Sequence, residues 1–191
     1  NDIVHPWQKK EFKDHKRFFW RGSHTHKKDV NVHLDSIRQV AAEFPDWEWF
    51  FCGDMDLRYM LEPIIPQDKL TICDSLQMVR YFNFIKVLEA TVSIVPLQNN
   101  LFNKSKSNIA WQECTMGGSA VVAPDWAEWQ AGNIAHYSFD SGVPNTDFVS
   151  ACIDAVQNAE LLYNDSWKYI QENLLLSQVN RTRLSIMNGL T

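Results

Sequence analysis

Several widespread signatures are missing from this sequence of 191 residues. None of its four cysteines forms a C-x-x-C pair, so a zinc finger or a dithiol redox motif is not expected. No apolar run approaches the ~20 residues that a membrane-spanning helix needs, and no signal peptide is visible. The formal net charge is −5, which argues against nucleic-acid binding driven by overall positive charge.

The motifs of several large enzyme classes are absent as well. There is no G-x-S-x-G, no P-loop and no H-E-x-x-H, which disfavours serine hydrolases, P-loop NTPases and zinc proteases. No G-x-G-x-x-G follows the first predicted strand, which disfavours NAD-dependent enzymes and epimerases that use a dinucleotide-binding loop.

Short apolar segments alternate with segments of helical periodicity along most of the chain. This alternation predicts an α/β fold, a doubly wound, Rossmann-like parallel sheet of about six strands with helices on both faces. Strands are predicted at 18–20, 47–52, 69–73, 91–97, 119–123 and 134–138, and the main helices at 29–44, 76–89, 147–163 and 167–187. The cysteines lie mainly in these apolar segments, which indicates buried thiols in a reducing compartment.

The domain boundaries follow from the change in composition near residue 17. Residues 1–17 are rich in charge and are predicted to form an arm or short helix outside the sheet, or a linker. Residues 18–191 form the predicted domain. The chain begins with Asn1 rather than Met, so we expect it to be a piece of a longer protein.

The polar stretch at 103–108 lies between two strand-like segments, where a loop is predicted to become a helix. Free backbone N–H groups and the positive end of a helix dipole attract anions at such a place. Glu113, further along the helix, suits sugar hydroxyls rather than a phosphate. Together these features indicate a nucleotide or nucleotide-sugar; a solvated helix start is the alternative.

The loop after the first predicted strand supplies further cations. Arg21 ends the strand, Gly22 permits close backbone approach, and Lys27 follows. The carboxyl ends of parallel strands meet at one edge of the sheet, so Lys106 is expected to approach this pair from the opposite loop. A guanidinium and ammonium groups suit a diphosphate.

His24 and His26 flank Thr25 in the same loop. An H-x-H pair can bind a metal, but no cysteine or carboxylate lies at ligand spacing, so we predict no metal here. Hydrogen bonding to a phosphate or to a sugar hydroxyl is the preferred interpretation. Trp126 and Trp129 lie in a predicted loop, where they could line the crevice or dock on another domain.

In these two polar stretches the sequence resembles the C-terminal, donor-binding domain of group 1 retaining glycosyltransferases of the GT-B fold. Residues 22–29 are similar to a G-[S/T]-x-T-H-x-x-D signature of some members. Residues 103–123 are similar to the F-N-x-S-K-S … E-x-x-x-x-G-x-P-V-V-A region. The resemblance covers about residues 18–190.

The resemblance implies roles by position, although Ser105 stands where many members carry the first of two glutamates. Arg21, Lys27 and Lys106 would be the catalytic residues, which stabilise the leaving diphosphate without a metal ion. Glu113 would bind the ribose hydroxyls. The other donor-binding residues would be Gly22, Ser23, Thr25, His26, Asn103, Ser105, Ser107 and Asn108, with Asp74 and Ser75 in the loop that contacts the base.

The implied activity is retaining transfer of a sugar from a nucleotide-diphosphate donor to a glycan, lipid-linked or small acceptor. The implied partners are the donor and an N-terminal acceptor domain, which these residues do not include; no cofactor, metal or nucleic acid is expected. A cytoplasmic enzyme of polysaccharide biosynthesis is expected, with peripheral membrane association of the full enzyme. The alternative is a non-catalytic Rossmann-like regulatory or assembly module.

Overall fold

The computed structural model describes residues 8–139 and 146–189. Within these ranges six strands form one sheet in the order β3-β2-β1-β4-β5-β6, and every neighbouring pair is parallel. The strands are β1 Arg17–Arg21, β2 Glu48–Cys52, β3 Leu70–Cys73, β4 Val92–Ile94, β5 Ala120–Pro124 and β6 Ala135–Tyr137. The predicted doubly wound α/β fold is confirmed.

Both faces of the sheet are covered, and β1 shows why the strand sequences are continuously apolar. Phe18 and Trp20 point into one hydrophobic cluster, whereas Phe19 between them packs into the other. Successive strand side chains alternate between faces, so a strand buried on both sides needs apolar residues throughout.

The helices divide between these two clusters. The helices are α1 Lys27–Val32, α2 Leu34–Glu43, α3 Arg58–Leu61, α4 Met78–Leu88, α5 Leu101–Lys104, α6 Ile109–Gly117, α7 Thr146–Gln157, α8 Ala159–Asn173 and α9 Leu176–Gly189. Residues of α1, α2 and α7 join the first cluster, residues of α4 and α6 join the second, and α8 contributes to both. No helix in the described ranges is both long and apolar enough to cross a bilayer.

Several predicted elements are shorter than the sequence pattern indicated. The helix predicted at 29–44 is interrupted at His33, whose buried ring lies with Nε2 3.1 Å from the carbonyl oxygen of Leu97. The last strand residues predicted near Leu97 form a loop, because the Tyr137 hydroxyl accepts from the Leu97 N–H and donates to the Val95 carbonyl. Tertiary hydrogen bonds thus replace regular ladders here.

The strand order reverses direction between β1 and β4, so the loops after these strands separate at the carboxyl edge. Such a switch point is where doubly wound sheets bind ligands. The loops after β1 and β2 are in close contact, because a Cβ on Gly53 would lie 1.7 Å from the carbonyl oxygen of Gly22. Gly53 also has φ +126°, which side chains rarely tolerate.

The described part of the predicted arm, residues 8–16, packs away from this crevice. The Tyr163 hydroxyl accepts from the Lys10 N–H and donates to the Lys10 carbonyl. Lys10 Nζ also lies 2.8 Å from a Glu89 carboxylate oxygen. Residues 1–7 of the predicted arm lie outside the described residues.

Candidate donor-binding site

Two neighbouring cavities open at the carboxyl edge of the sheet, and Arg21 borders both. One, of ≈ 170 Å³, lies at the β1/β4 switch point and is lined in part by His26, Lys106, Ser107 and Ala110. The other, of ≈ 300 Å³, lies on the β2 and β3 side. We call them the inner cavity and the outer cavity. Arg21, at the end of β1, therefore faces both cavities.

The polar centre of the outer cavity consists of three side chains. The guanidinium of Arg21 donates from Nη2 to Glu113 Oε2 at 2.6 Å, and the hydroxyl of Tyr81 donates to the same oxygen at 3.1 Å. Burial lowers the pKa of Arg21, but the Glu113 carboxylate together with Tyr81 and Cys114 outweighs this, and the net pKa is raised. Burial raises the pKa of Tyr81, so its hydroxyl remains a donor.

This cluster leaves hydrogen-bonding capacity for a ligand. The Nε of Arg21 is buried without a partner among the described residues. Both contacts to Glu113 use Oε2, so Oε1 remains a free acceptor in the described contacts. A buried unpaired donor is costly, and an anion that accepts from Arg21 would relieve that cost.

The inner cavity carries a second charged cluster, centred on the buried carboxylate of Asp29. Its Oδ2 lies 2.9 Å from His26 Nδ1 and 3.8 Å from Lys106 Nζ. Its Oδ1 accepts from the Gln98 N–H and from the Asn103 amide. Burial alone would raise the pKa of Asp29, but these bonds and Lys106 hold it below its ordinary value.

The charge of Lys106 is only partly balanced at this position. Burial lowers the pKa of Lys106, and the carboxylate of Asp29 opposes that effect. Its ammonium also lies 4.8 Å from the ring centre of Phe102. The ammonium of Lys106 therefore lines the cavity, and the carboxylate of Asp29, which does not line it, holds the ammonium in place.

Helix α6 begins at the wall of the inner cavity. Its N-cap residue, Asn108, makes no side-chain capping bond; its amide donates to the Glu128 carbonyl and its oxygen accepts from Gln112. Ser107, Ile109 and Ala110 line the cavity. An uncapped helix start places backbone donors and a positive dipole end beside Arg21 and Lys106.

The remaining predicted residues of the 103–108 stretch lie away from the cavity. Asn103 is buried and bonds to Asp29 and to the Gln98 carbonyl, so it braces the site rather than lining it. Ser105 is exposed and donates to the Leu101 carbonyl. The loop predicted before this helix contains a further short helix, α5, ahead of α6.

The loop predicted to contact the base is divided. Ser75 lines the outer cavity, and its hydroxyl donates to the Gly53 carbonyl at 2.9 Å. Gly22 lines the same cavity. Asp74 is exposed outside it and accepts from the Ser75 N–H.

Three predicted residues of the 21–29 loop line neither cavity. Lys27 Nζ lies 3.2 Å from a carboxylate oxygen of Asp56 instead. The hydroxyls of Ser23 and Thr25 are exposed and lie 2.8 Å apart. Asp54, which forms a D-x-D sequence with Asp56, accepts from the Asp56 N–H and caps a turn. In the described ranges no three His, Cys, Asp or Glu residues group as metal ligands do.

Two side chains of the site, those of Tyr81 and Asp29, were not predicted from the sequence. Tyr81 lies on a helix whose pattern indicated packing only, and its contact with Glu113 depends on how α4 meets α6. Asp29 lies inside α1 and is 4% exposed. A charged residue on the apolar face of a predicted helix was the available signal for its role.

The two loop tryptophans have different environments. Trp129 is fully buried at the inner cavity. Trp126 is half-buried and stacks on Phe139 with ring centres 5.7 Å apart, beside a third cavity of ≈ 410 Å³ that also includes Lys104 and Asp125.

No protein-family model and no curated protein sequence matches this chain. Solved structures do match. A TarM variant of S. aureus, bound to UDP, α-GlcNAc-glycerol and fondaparinux, has a TM-score of 0.66 at 11% identity and covers 97% of this chain. A UDP-forming α,α-trehalose-phosphate synthase of Burkholderia vietnamiensis has a TM-score of 0.64 at 12% identity and covers 91%. Both are GT-B glycosyltransferases.

A protein named as a UDP-N-acetylglucosamine 2-epimerase of Listeria monocytogenes is also similar, with a TM-score of 0.55 at 12% identity over 80% of this chain. The matches cover 38%, 45% and 41% of these three proteins respectively, so this chain spans less than half of each. The likeness shows the fold, and the resemblance to one domain of a GT-B glycosyltransferase is confirmed at that level.

Proposed function

We propose that this chain is the donor-binding domain of a glycosyltransferase and binds a nucleotide-diphosphate sugar. The observation that carries the proposal is the position of Arg21, which borders a cavity with a hydroxyl acceptor and a cavity with cations and a helix start. The nucleoside would occupy the outer cavity with its ribose on Glu113. The diphosphate would lie in the inner cavity against Arg21, Lys106 and the start of α6.

The residues of the inner cavity suggest how transfer would be assisted. The bond between sugar and diphosphate breaks with negative charge developing on the leaving phosphate. Fixed cations and backbone donors stabilise such charge without reorganisation, so metal-independent transfer is proposed. A second, N-terminal domain would supply the acceptor site, with retention of configuration and a glycan, lipid-linked or small acceptor. A cytoplasmic location, with peripheral association of the full enzyme with a membrane, completes the proposal.

Calorimetry with UDP and GDP, with and without magnesium, tests the proposal. UDP comes first because two similar proteins are named for UDP or bound to it. Binding that does not need magnesium and is lost in Arg21→Ala supports the proposal. The matched control is Arg38→Ala, because Arg38 is an exposed residue of α2 that pairs only with Asp35 among the described contacts. No binding of either nucleotide would favour a regulatory or assembly module.

An epimerase that acts on a nucleotide-sugar is a second candidate, favoured by the fold similarity to the Listeria protein. Because the Listeria protein has this fold, the absence of a G-x-G-x-x-G loop after β1 no longer argues against an epimerase. Incubation of this domain, together with the proposed N-terminal domain, with a UDP-sugar in deuterated water separates the candidates. The epimerisation expected here exchanges a sugar C–H, and transfer does not.

A further inference from the structure

We propose that His26, held by the buried carboxylate of Asp29, binds the diphosphate together with Arg21 and Lys106, in the role that the resemblance implies for Lys27. This inference rests on the proposed function and concerns which groups of the 21–29 loop meet the ligand. It makes donor binding depend on the protonation of one imidazole.

The position of His26 supports this role. The residue lines the inner cavity together with Arg21 and Lys106. Its Cβ would lie 3.2 Å from a Cβ placed on Gly22, so it packs closely against that glycine. The ring is part-buried, with its side chain 26% exposed. An anion in the cavity can therefore reach the ring.

The position of Lys27 opposes the role suggested by the sequence. Its ammonium lies against Asp56, on the turn after β2, and the residue lines neither cavity. His26 and Lys27 are neighbours in sequence, but the turn into α1 begins between them and separates their directions. Only one of the two meets the cavity.

Asp29 determines how the imidazole is presented. Its Oδ2 lies 2.9 Å from Nδ1 of His26, so Nδ1–H donates to the carboxylate and Nε2 is the nitrogen left for a ligand. A neutral ring would offer a lone pair there, which repels phosphate oxygens. A protonated ring donates from both nitrogens, so diphosphate binding favours uptake of a proton.

The charged groups around His26 fit this assignment. Asp29 lies behind the ring, Lys106 Nζ lies 3.4 Å from Nδ1, and Arg21 lines the same cavity. A bound diphosphate offsets the cations, so ligand and proton assist each other.

The test is the affinity for UDP-glucose, measured by calorimetry from about pH 5.5 to about pH 8, across the range in which histidine titrates. UDP-glucose is chosen because its diphosphate is esterified at both ends and keeps a constant charge over this range. The expected affinity is highest at low pH and falls as pH rises. His26→Gln is expected to bind about tenfold more weakly at low pH and to lose the pH dependence.

Three variants sharpen the result. His24→Gln changes an exposed histidine of the same loop that lines neither cavity, and should match the wild type. Asp29→Asn, with folding verified by thermal unfolding, should weaken binding, because the ring loses the carboxylate that holds Nδ1 in place. A larger loss in Lys27→Gln than in His26→Gln would overturn the assignment.

The outcomes also separate this inference from the proposed function. If Arg21→Ala abolishes binding while His26→Gln binds like the wild type at every pH, His26 has no such role and the donor site stands. If the wild-type chain binds neither UDP nor UDP-glucose, both the donor site and the role of His26 are overturned.

Discussion

Replacing Glu113 with glutamine is the most informative perturbation of the outer cavity. The carboxylate accepts from Arg21 and Tyr81 through Oε2 and has Oε1 available for the ligand. Glutamine has nearly the same shape and keeps one acceptor oxygen, but it removes the charge. Because Arg21 and Tyr81 both donate to Oε2, the amide oxygen takes that place and the NH2 group faces the ribose, where it can only donate to a hydroxyl. The change therefore replaces a charged hydrogen bond to the ribose with a neutral one.

The expected magnitude follows from the two kinds of hydrogen bond. A bond to a charged group contributes about 1.5–3 kcal/mol and a neutral one about 0.5–1.5 kcal/mol. The substitution should cost about 1.4 kcal/mol of binding, which is a factor of about ten in the Kd for UDP. The free energy of unfolding should fall by about 1 kcal/mol, because the partner of Arg21 loses its charge while the Arg21 side chain remains 27% exposed to water.

The assay compares UDP with 2′,3′-dideoxy-UDP, which lacks the hydroxyls that Glu113 would bind. Titration calorimetry should show about a tenfold loss of affinity for UDP, which is about what weakening one charged hydrogen bond allows. The affinity for the dideoxy compound should change less than about twofold, because it has no hydroxyl to lose that bond. The control is Glu160→Gln, an exposed glutamate on α8. An equal loss with both nucleotides would refute the ribose assignment.

Three further predictions concern the surrounding elements. Lys106→Ala should weaken UDP-glucose binding about tenfold by calorimetry, whereas Lys104→Ala, on the exposed side of α5, should change it less than about twofold. Gly22→Ala would place a Cβ 2.3 Å from the indole of Trp20 and should lower the free energy of unfolding by about 1–3 kcal/mol in urea titrations. Gly189→Ala is the control, because its added methyl group has no atom within 4 Å. Because the folded-state pKa of Asp29 is lowered, its contribution to stability is present above the unfolded pKa of about 4 and is lost as pH falls further; Asp29→Asn should flatten that part of the stability curve.

Sequence periodicity predicted the layers of this fold because strands buried on both faces carry their own pattern. Phe18, Phe19 and Trp20 are apolar in succession since each face of β1 is covered. The interruption at His33 was not predictable, because it depends on a hydrogen bond to a loop more than sixty residues away.

In the candidate site, too, some positions could be predicted from local sequence and others depend on tertiary packing. Arg21 ends β1, Lys106 precedes α6, and Glu113 lies one turn inside α6, so their convergence is a consequence of parallel topology. Which of His26 and Lys27 lines the cavity depends on the angle at which the chain enters α1, and no local pattern encodes that angle. Local sequence thus locates the site, and tertiary packing selects its members.

The shared position of Arg21 also has a consequence for how fragments of a ligand would behave. One guanidinium borders both cavities, so a nucleoside and a free pyrophosphate would each use only part of it. The intact nucleotide carries the nucleoside and the diphosphate in one molecule and loses translational entropy only once on binding, which is a chelate effect. We therefore expect uridine and pyrophosphate added together to bind much more weakly than UDP, and inhibitors of this site to need a linker that passes over Arg21.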